Sequence, residues 1–124
     1  MEPYILFGKK FKHLRQRTGK TLRQFCLEHN LDPGNYSKLE RGKNLPPKSR
    51  EKLEKLASFL NLQEGSDEWY DFFDDAAACN GTIPKYIMDD KELATKLPLV
   101  FRTIRGERVD PEKLEKLAEI IRQA

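Results

Sequence analysis

The sequence predicts an all-α fold, and three features carry that prediction. Apolar residues recur at helical spacing in segment after segment, while the strict alternation of a half-buried strand is almost absent. Capping residues and helix stops punctuate those segments. The apolar fraction of 38%, with seven Phe, four Tyr and one Trp, suffices for a core, and the 35% of charged residues suits the outer faces of short helices.

The elements follow in chain order. Pro3 opens a first helix, with Tyr4, Phe7, Phe11 and Leu14 on one face and "TGK" at 18–20 as its stop. "TLRQFCLEHN" opens with Thr21-x-x-Gln24, the spacing of a capping box. A third helix begins just after Asp32. "PPKSREKLEKLASFLNL" gives a fourth, with Leu53, Leu56, Ala57 and Leu60 at i, i+3, i+4 and i+7, and "LQEGS" is a break. Ser66 caps a fifth, where Asp67 and Glu68 suit the positive end of the helix dipole and Trp69, Phe72, Phe73 and Ala76 form the stripe. "NG" at 80–81 stops it. "GTIPKYI" is expected as a loop. "DDKELATKL" should end at or before Leu97, because Pro98 disfavours helical geometry in its predecessor. "PLVFRTIRG" is a further short helix ending at Gly106, and Asp110 with Pro111 starts the last. The expectation is about eight helices and no sheet.

Composition narrows the class. No apolar run approaches the ~18 residues that span a bilayer, so no membrane role is expected. The start "MEPYILFGKK" lacks the basic-then-apolar order of a signal peptide, which predicts a cytoplasmic protein. Cys26 and Cys79 give no disulfide framework, and with His13 and His29 they offer no metal-ligand spacing. No cofactor is implied. Net charge divides along the chain: residues 1–64 hold 14 Lys/Arg and 7 Asp/Glu, net +7, whereas residues 65–124 hold 9 and 13, net −4. Halves of opposite sign point either to different partners or to ordinary variation along a solvated helical surface. "RGKNLPPKSREKLEKLA" (41–57) echoes "RGERVDPEKLEKLA" (105–118), but the segments upstream differ in length, so the echo is a reused helix rather than a duplicated unit.

The stretch "LDPGNYSKLERGK" (31–43) is the most informative. Asp32 is an N-cap, and Pro33 takes the first helical position, where no amide proton is needed. The helix therefore starts sharply and runs over 33–41. Gly34 and Asn35 are short residues in its first turn, Lys38 lies one turn on, and Tyr36 and Leu39 face the core. A small, polar, exposed first turn followed by Lys38, Arg41 and Lys43 suits insertion into a DNA major groove.

Together with "LRQRTGKT" closing the first helix, "FC" in the second and "PP" after the third, this stretch resembles the Cro/phage-repressor (XRE) helix-turn-helix family over residues 7–60. The resemblance implies a lambda-repressor-like helical bundle whose third helix reads operator DNA. It implies that Arg15 and Glu40 form an ion pair joining the first helix to the end of the third. It places Gly34, Asn35, Ser37 and Lys38 toward bases, with Asn35 suited to adenine and Lys38 to guanine. Thr21, Arg41, Lys43 and Asn44 are placed at phosphates. Gly42 stands where a helix stop needs a left-handed backbone. Two positions depart from the family's habit. Pro33 and Gly34 replace residues that are often glutamine, which shifts weight toward shape and phosphate readout. His29 and Asn30 replace an apolar-Gly pair at the turn, and His29 is expected as a partly buried spacer.

Two domains are expected, a DNA-binding domain over 1–64 and a helical C-terminal region over 65–124. The second should serve self-association, since paired half-sites call for a homodimer, and a 1–64 fragment should fold alone. Many small proteins of this family are antitoxins. In that alternative reading the acidic block Asp67, Glu68, Asp71, Asp74 and Asp75 faces a basic protein toxin, and the protein represses its own operon. No Ser-His-Asp or Cys-His set and no glycine-rich phosphate loop occurs, so no enzyme is expected. The expected function is a dimeric transcriptional repressor bound to a double-stranded DNA operator.

Overall fold

The computed structural model describes residues 2–106 together with Glu112 and Glu115. Among the described residues the chain is wholly helical, without strands. Its elements are α1 (Pro3–Arg17), α2 (Leu22–His29), α3 (Pro33–Glu40), α4 (Arg50–Phe59), α5 (Asp67–Asn80), α6 (Lys85–Met88) and α7 (Lys91–Gly106).

Local chemistry sets the boundaries. At α2, the Thr21 hydroxyl accepts from the Gln24 amide at 3.2 Å while the Gln24 side chain accepts from the Thr21 amide at 3.0 Å, a reciprocal capping box. Ser49 and Ser66 cap α4 and α5 by accepting from Lys52 and Trp69. Gly81 ends α5 in the left-handed region, at φ 67°.

Two elements depart from the sequence expectation. The segment expected as a loop contains α6, a single turn that Pro84 enters with φ already set and that Lys85 and Asp89 staple at 3.0 Å. One turn is too short to show any periodicity. More substantially, α7 runs straight through Pro98 instead of breaking into two helices. A proline inside a helix forfeits one ladder hydrogen bond and crowds the turn before it. That local cost is met here by a continuous helix with Pro98 on its exposed side. The last expected helix, opened by Asp110 and Pro111, lies outside the described residues.

The chain divides into two compact units, Met1–Thr82 and Ile83–Ala124. The first is built around Phe7 and Phe11 of α1, Phe25 and Cys26 of α2, Leu39 of α3, Leu53, Leu56 and Ala57 of α4, and Phe72, Phe73 and Ala76 of α5, all buried. The expected boundary after residue 64 therefore falls inside this unit. Its physical reason is the α5 stripe: Phe72 and Phe73 are only 4% and 3% exposed, and the Phe72 ring lies 5.5 Å from Phe7. Charge reinforces the packing. Arg17 grips Glu68 through two bonds of 2.8 and 2.7 Å, and Lys10 meets Asp75 at 3.0 Å. Two of the five carboxylates in the acidic block thus face α1 of the same chain. In the second unit, α6 precedes α7, on which Leu99, Phe101 and Ile104 are exposed.

Candidate nucleic-acid interface

The turn between α2 and α3 rests on Asn30, which adopts the left-handed region (φ 56°, ψ 47°) and sends its amide to the Cys26 carbonyl. Asparagine tolerates this conformation better than any residue but glycine. The departure at this position therefore preserves the turn. His29 beside it stacks on Phe59 at 3.9 Å with the rings 13° apart, which makes it a wall of the bundle.

α3 starts where Asp32 accepts from the Gly34 amide at 3.0 Å, with Pro33 in the first turn. Its inner face is Leu39, buried, and Tyr36, whose ring packs 5.8 Å from Phe11. Desolvation pushes the Tyr36 phenol up from its ordinary value. Its outer face carries Gly34, Asn35 and Lys38, all exposed, with Ser37 half-buried beside them. The four positions assigned to bases thus share one side of a short helix, from Gly34 in its first turn to Lys38 in its last.

Three contacts fix how that helix is presented. At its C-terminal end, Arg15 and Glu40 form a two-pronged pair, Nε to Oε2 at 2.8 Å and Nη2 to Oε1 at 2.9 Å. The side chains are 8% and 6% exposed. Arg15 also donates to the Lys20 carbonyl at 2.9 Å, so one guanidinium ties α1, the turn before α2 and the end of α3 together. The bonds to Glu40 raise the Arg15 pKa further, and the charge is permanent. Along its back, α3 lies on Gly8 of α1, where a Cβ would stand 2.2 Å from the Leu39 carbonyl oxygen. At the exit, Gly42 takes φ 73°, and a Cβ there would stand 2.8 Å from Cγ1 of Ile5.

The residues assigned to phosphates sit around this helix. Arg41 and Lys43 are exposed, and Arg41 Nε donates to the Ser37 carbonyl at 3.3 Å. Asn44 is half-buried, and its carboxamide donates to the Asn35 carbonyl at 3.3 Å, pinning the loop after α3 to the first turn of α3. Thr21 is exposed, but its amide is spent on Gln24, so only its hydroxyl hydrogen remains to meet a phosphate.

Two positioning groups escaped the sequence reading. Gly8 carried a usable signal, since glycine inside a helix costs about 1 kcal/mol relative to alanine and calls for a packing reason. Asn80, at the end of α5, donates to the Pro47 carbonyl at 3.2 Å and holds the loop after α3 from its other side. No local pattern announces that bond. Burial pushes the Cys26 and Cys79 thiols up, which leaves both as protonated packing groups rather than nucleophiles. Among the described residues no cluster of His, Cys, Asp and Glu forms a metal site, and no helix is long and apolar enough to cross a membrane.

Residues 6–68, just over half of the chain, match a family model described as a helix-turn-helix domain. No curated protein and no solved structure matches the chain.

Proposed function

The chain belongs to the helix-turn-helix domain family, and from that premise we propose that it is a sequence-specific DNA-binding regulator, a dimeric repressor that reads its operator with α3. The observation that carries this reading is the presentation of the first turn of α3. Gly34, Asn35 and Lys38 stand exposed on a helix held by the Arg15–Glu40 pair at one end and by Asn44 at the other. A rigid helix with a narrow, polar end is what a major groove about 12 Å wide admits. In this pose Asn35 and Lys38 reach base edges, while Arg41, Lys43, Asn44 and the Thr21 hydroxyl meet phosphates and set the register. The net charge of +7 over residues 1–64 favours the approach to DNA.

Dimerisation is assigned to the second unit. Because α5 is used up in the core of the first, the self-association face narrows to the residues after Thr82. Phe101 and Ile104, three apart on α7 and both exposed, are its apolar centre. The antitoxin alternative draws less support, since Glu68 and Asp75 are engaged by Arg17 and Lys10 rather than left for a basic partner.

Selection of the full chain against a library of random duplexes tests the reading. The expected product is a pair of twofold-related half-sites with centres about one turn, ~34 Å, apart. Recovery of no enriched sequence would contradict it.

A further inference from the structure

The loop between α3 and α4, residues 41–49, carries Arg41, Lys43 and Asn44, three of the four positions assigned to phosphates. Its start is fastened to α3, where the Gly42 amide donates to the Leu39 carbonyl at 3.1 Å and the Lys43 amide to the Lys38 carbonyl at 2.8 Å. Its end is fastened to α4 through the Ser49 cap. Residues 44–48 between these points make two hydrogen bonds among the described residues, and both come from side-chain amides. Asn44 donates to the Asn35 carbonyl at 3.3 Å, and Asn80 of α5 donates to the Pro47 carbonyl at 3.2 Å.

The chain between those two bonds is stiff. Pro46 and Pro47 fix their own φ, and each restricts the residue before it, so the stretch from Leu45 to Pro47 has little freedom. A shift at Pro47 is therefore passed on to Asn44 instead of being absorbed on the way. The hydrogen bonding of Asn80 itself is one-sided. Its Nδ2 is used by Pro47, while its Oδ1 is buried with no partner among the described residues. A buried acceptor left unpaired is destabilising, so stability alone gives asparagine no advantage here over an apolar residue of similar shape. What asparagine adds at this position is the bond to the loop.

We infer that Asn80 is a positioning residue for DNA recognition. From the end of α5, an element with no assigned DNA contact, it clamps the loop after α3 so that Asn44 holds the first turn of α3 in its reading position. With the clamp in place, Asn35, Lys43 and Asn44 meet the duplex already ordered. Without it, residues 44–48 keep only the Asn44 bond, and the loop has to be ordered when DNA binds, which subtracts from affinity. The loss falls mainly on the selected duplex, where Asn35 must meet one particular base edge, and less on a random duplex that demands no fixed pose. This role in recognition rests on the reading of α3 as the DNA-contacting helix, whereas the clamp itself does not.

The test compares the ¹⁵N-labelled full chain with Asn80→Leu, which removes the donor and the unpaired acceptor together at similar size. The clamp is read without DNA, as the heteronuclear NOE of the Asn44 side-chain amide, with the backbone amide of the buried Leu53 in α4 as internal reference. The Asn44 value is expected to fall in Asn80→Leu while the Leu53 value and the thermal midpoint hold. Asn80→Asp, which keeps the shape and loses the donor, should lower the Asn44 value likewise, and it decides the question if Asn80→Leu does not unfold cooperatively. An unchanged Asn44 value overturns the clamp. A Leu53 value that falls with it, the sign of a general loosening, overturns it as well. In a second arm, Asn80→Leu should weaken binding to the selected duplex about fivefold and to a random duplex less than about twofold. Combined with Asn44→Ala, it should weaken the selected duplex little more than Asn44→Ala alone. Equal losses on the two duplexes, or additive losses in the pair, overturn the positioning role and leave the clamp. A chain that binds no duplex overturns the reading of α3, and the NOE comparison still decides the clamp.

Discussion

Gly8 of α1 lies so close to Leu39 of α3 that a methyl group on it would stand 2.2 Å from the Leu39 carbonyl oxygen and 3.0 Å from that of Glu40. Both neighbours are backbone, so neither can swing away as a side chain would. Replacing Gly8 by alanine must push the two helices apart at the point that sets the angle of α3. Overpacking a core costs typically about 1–3 kcal/mol, and a backbone clash belongs at or above the top of that range. Gly8→Ala is expected to lose about 3 kcal/mol in urea unfolding, despite the better helix propensity of alanine. An unchanged midpoint would show that α1 and α3 are not in this contact.

The Arg15–Glu40 pair makes a separate prediction. Removing one partner of a buried pair leaves the other charge uncompensated and costs about 3–5 kcal/mol. Arg15→Met and Glu40→Gln should each fall near that range, and the double variant should cost less than the sum of the two. Additive losses in the cycle would mean that the two side chains do not act on each other.

Truncation tests where the first compact unit ends. A fragment ending at residue 64 lacks Phe72, Phe73 and Ala76 and exposes the faces of α1 and α4 that they cover. At ~25 cal/mol per Å² of apolar surface, two aromatic rings are worth several kcal/mol, a large share of the stability of a small domain. The 1–64 fragment should therefore fail to give cooperative unfolding, whereas 1–82 should give it. If 1–64 unfolds as cooperatively as 1–82, α5 is an accessory to the bundle.

These cases also show which parts of the molecule were legible in the sequence. Helix starts at Thr21, Asp32, Ser49 and Ser66 depend on hydrogen bonds within a few residues, so local spacing reveals them. The α5 stripe was equally visible, but which surface covers it is a tertiary fact, and the first compact unit runs to Thr82, past the expected boundary after residue 64, for that reason. Pro98 misled in the opposite way, because a local preference against helix was overridden along α7. In the candidate interface, the outward residues of α3 followed from its sharp start. The supports supplied by Gly8 and Asn80 depend on partners 31 and 33 residues away, which no window of local pattern contains.

Acid should loosen the α1–α5 contact. The bonds from Arg17 hold the Glu68 carboxyl below its ordinary value near 4.5. A lowered folded pKa contributes stability that is present above the ordinary value and is lost as pH falls through the lowered one. Thermal midpoints should thus drop below about pH 4.5, and less steeply in Arg17→Gln than in the wild type. Parallel midpoint-against-pH curves for the two proteins would contradict that coupling.

The central claim is that α3 reads base sequence while the residues around it hold the phosphates. Equilibrium binding of wild type, Lys38→Ala and Arg41→Ala to the selected duplex and to a random duplex, across a salt series, tests it most directly. Lys38→Ala should lose about 1–3 kcal/mol on the selected duplex and little on the random one. Arg41→Ala should weaken both alike and lower the salt slope by about one. Wild-type affinity of both variants for both duplexes would contradict the account.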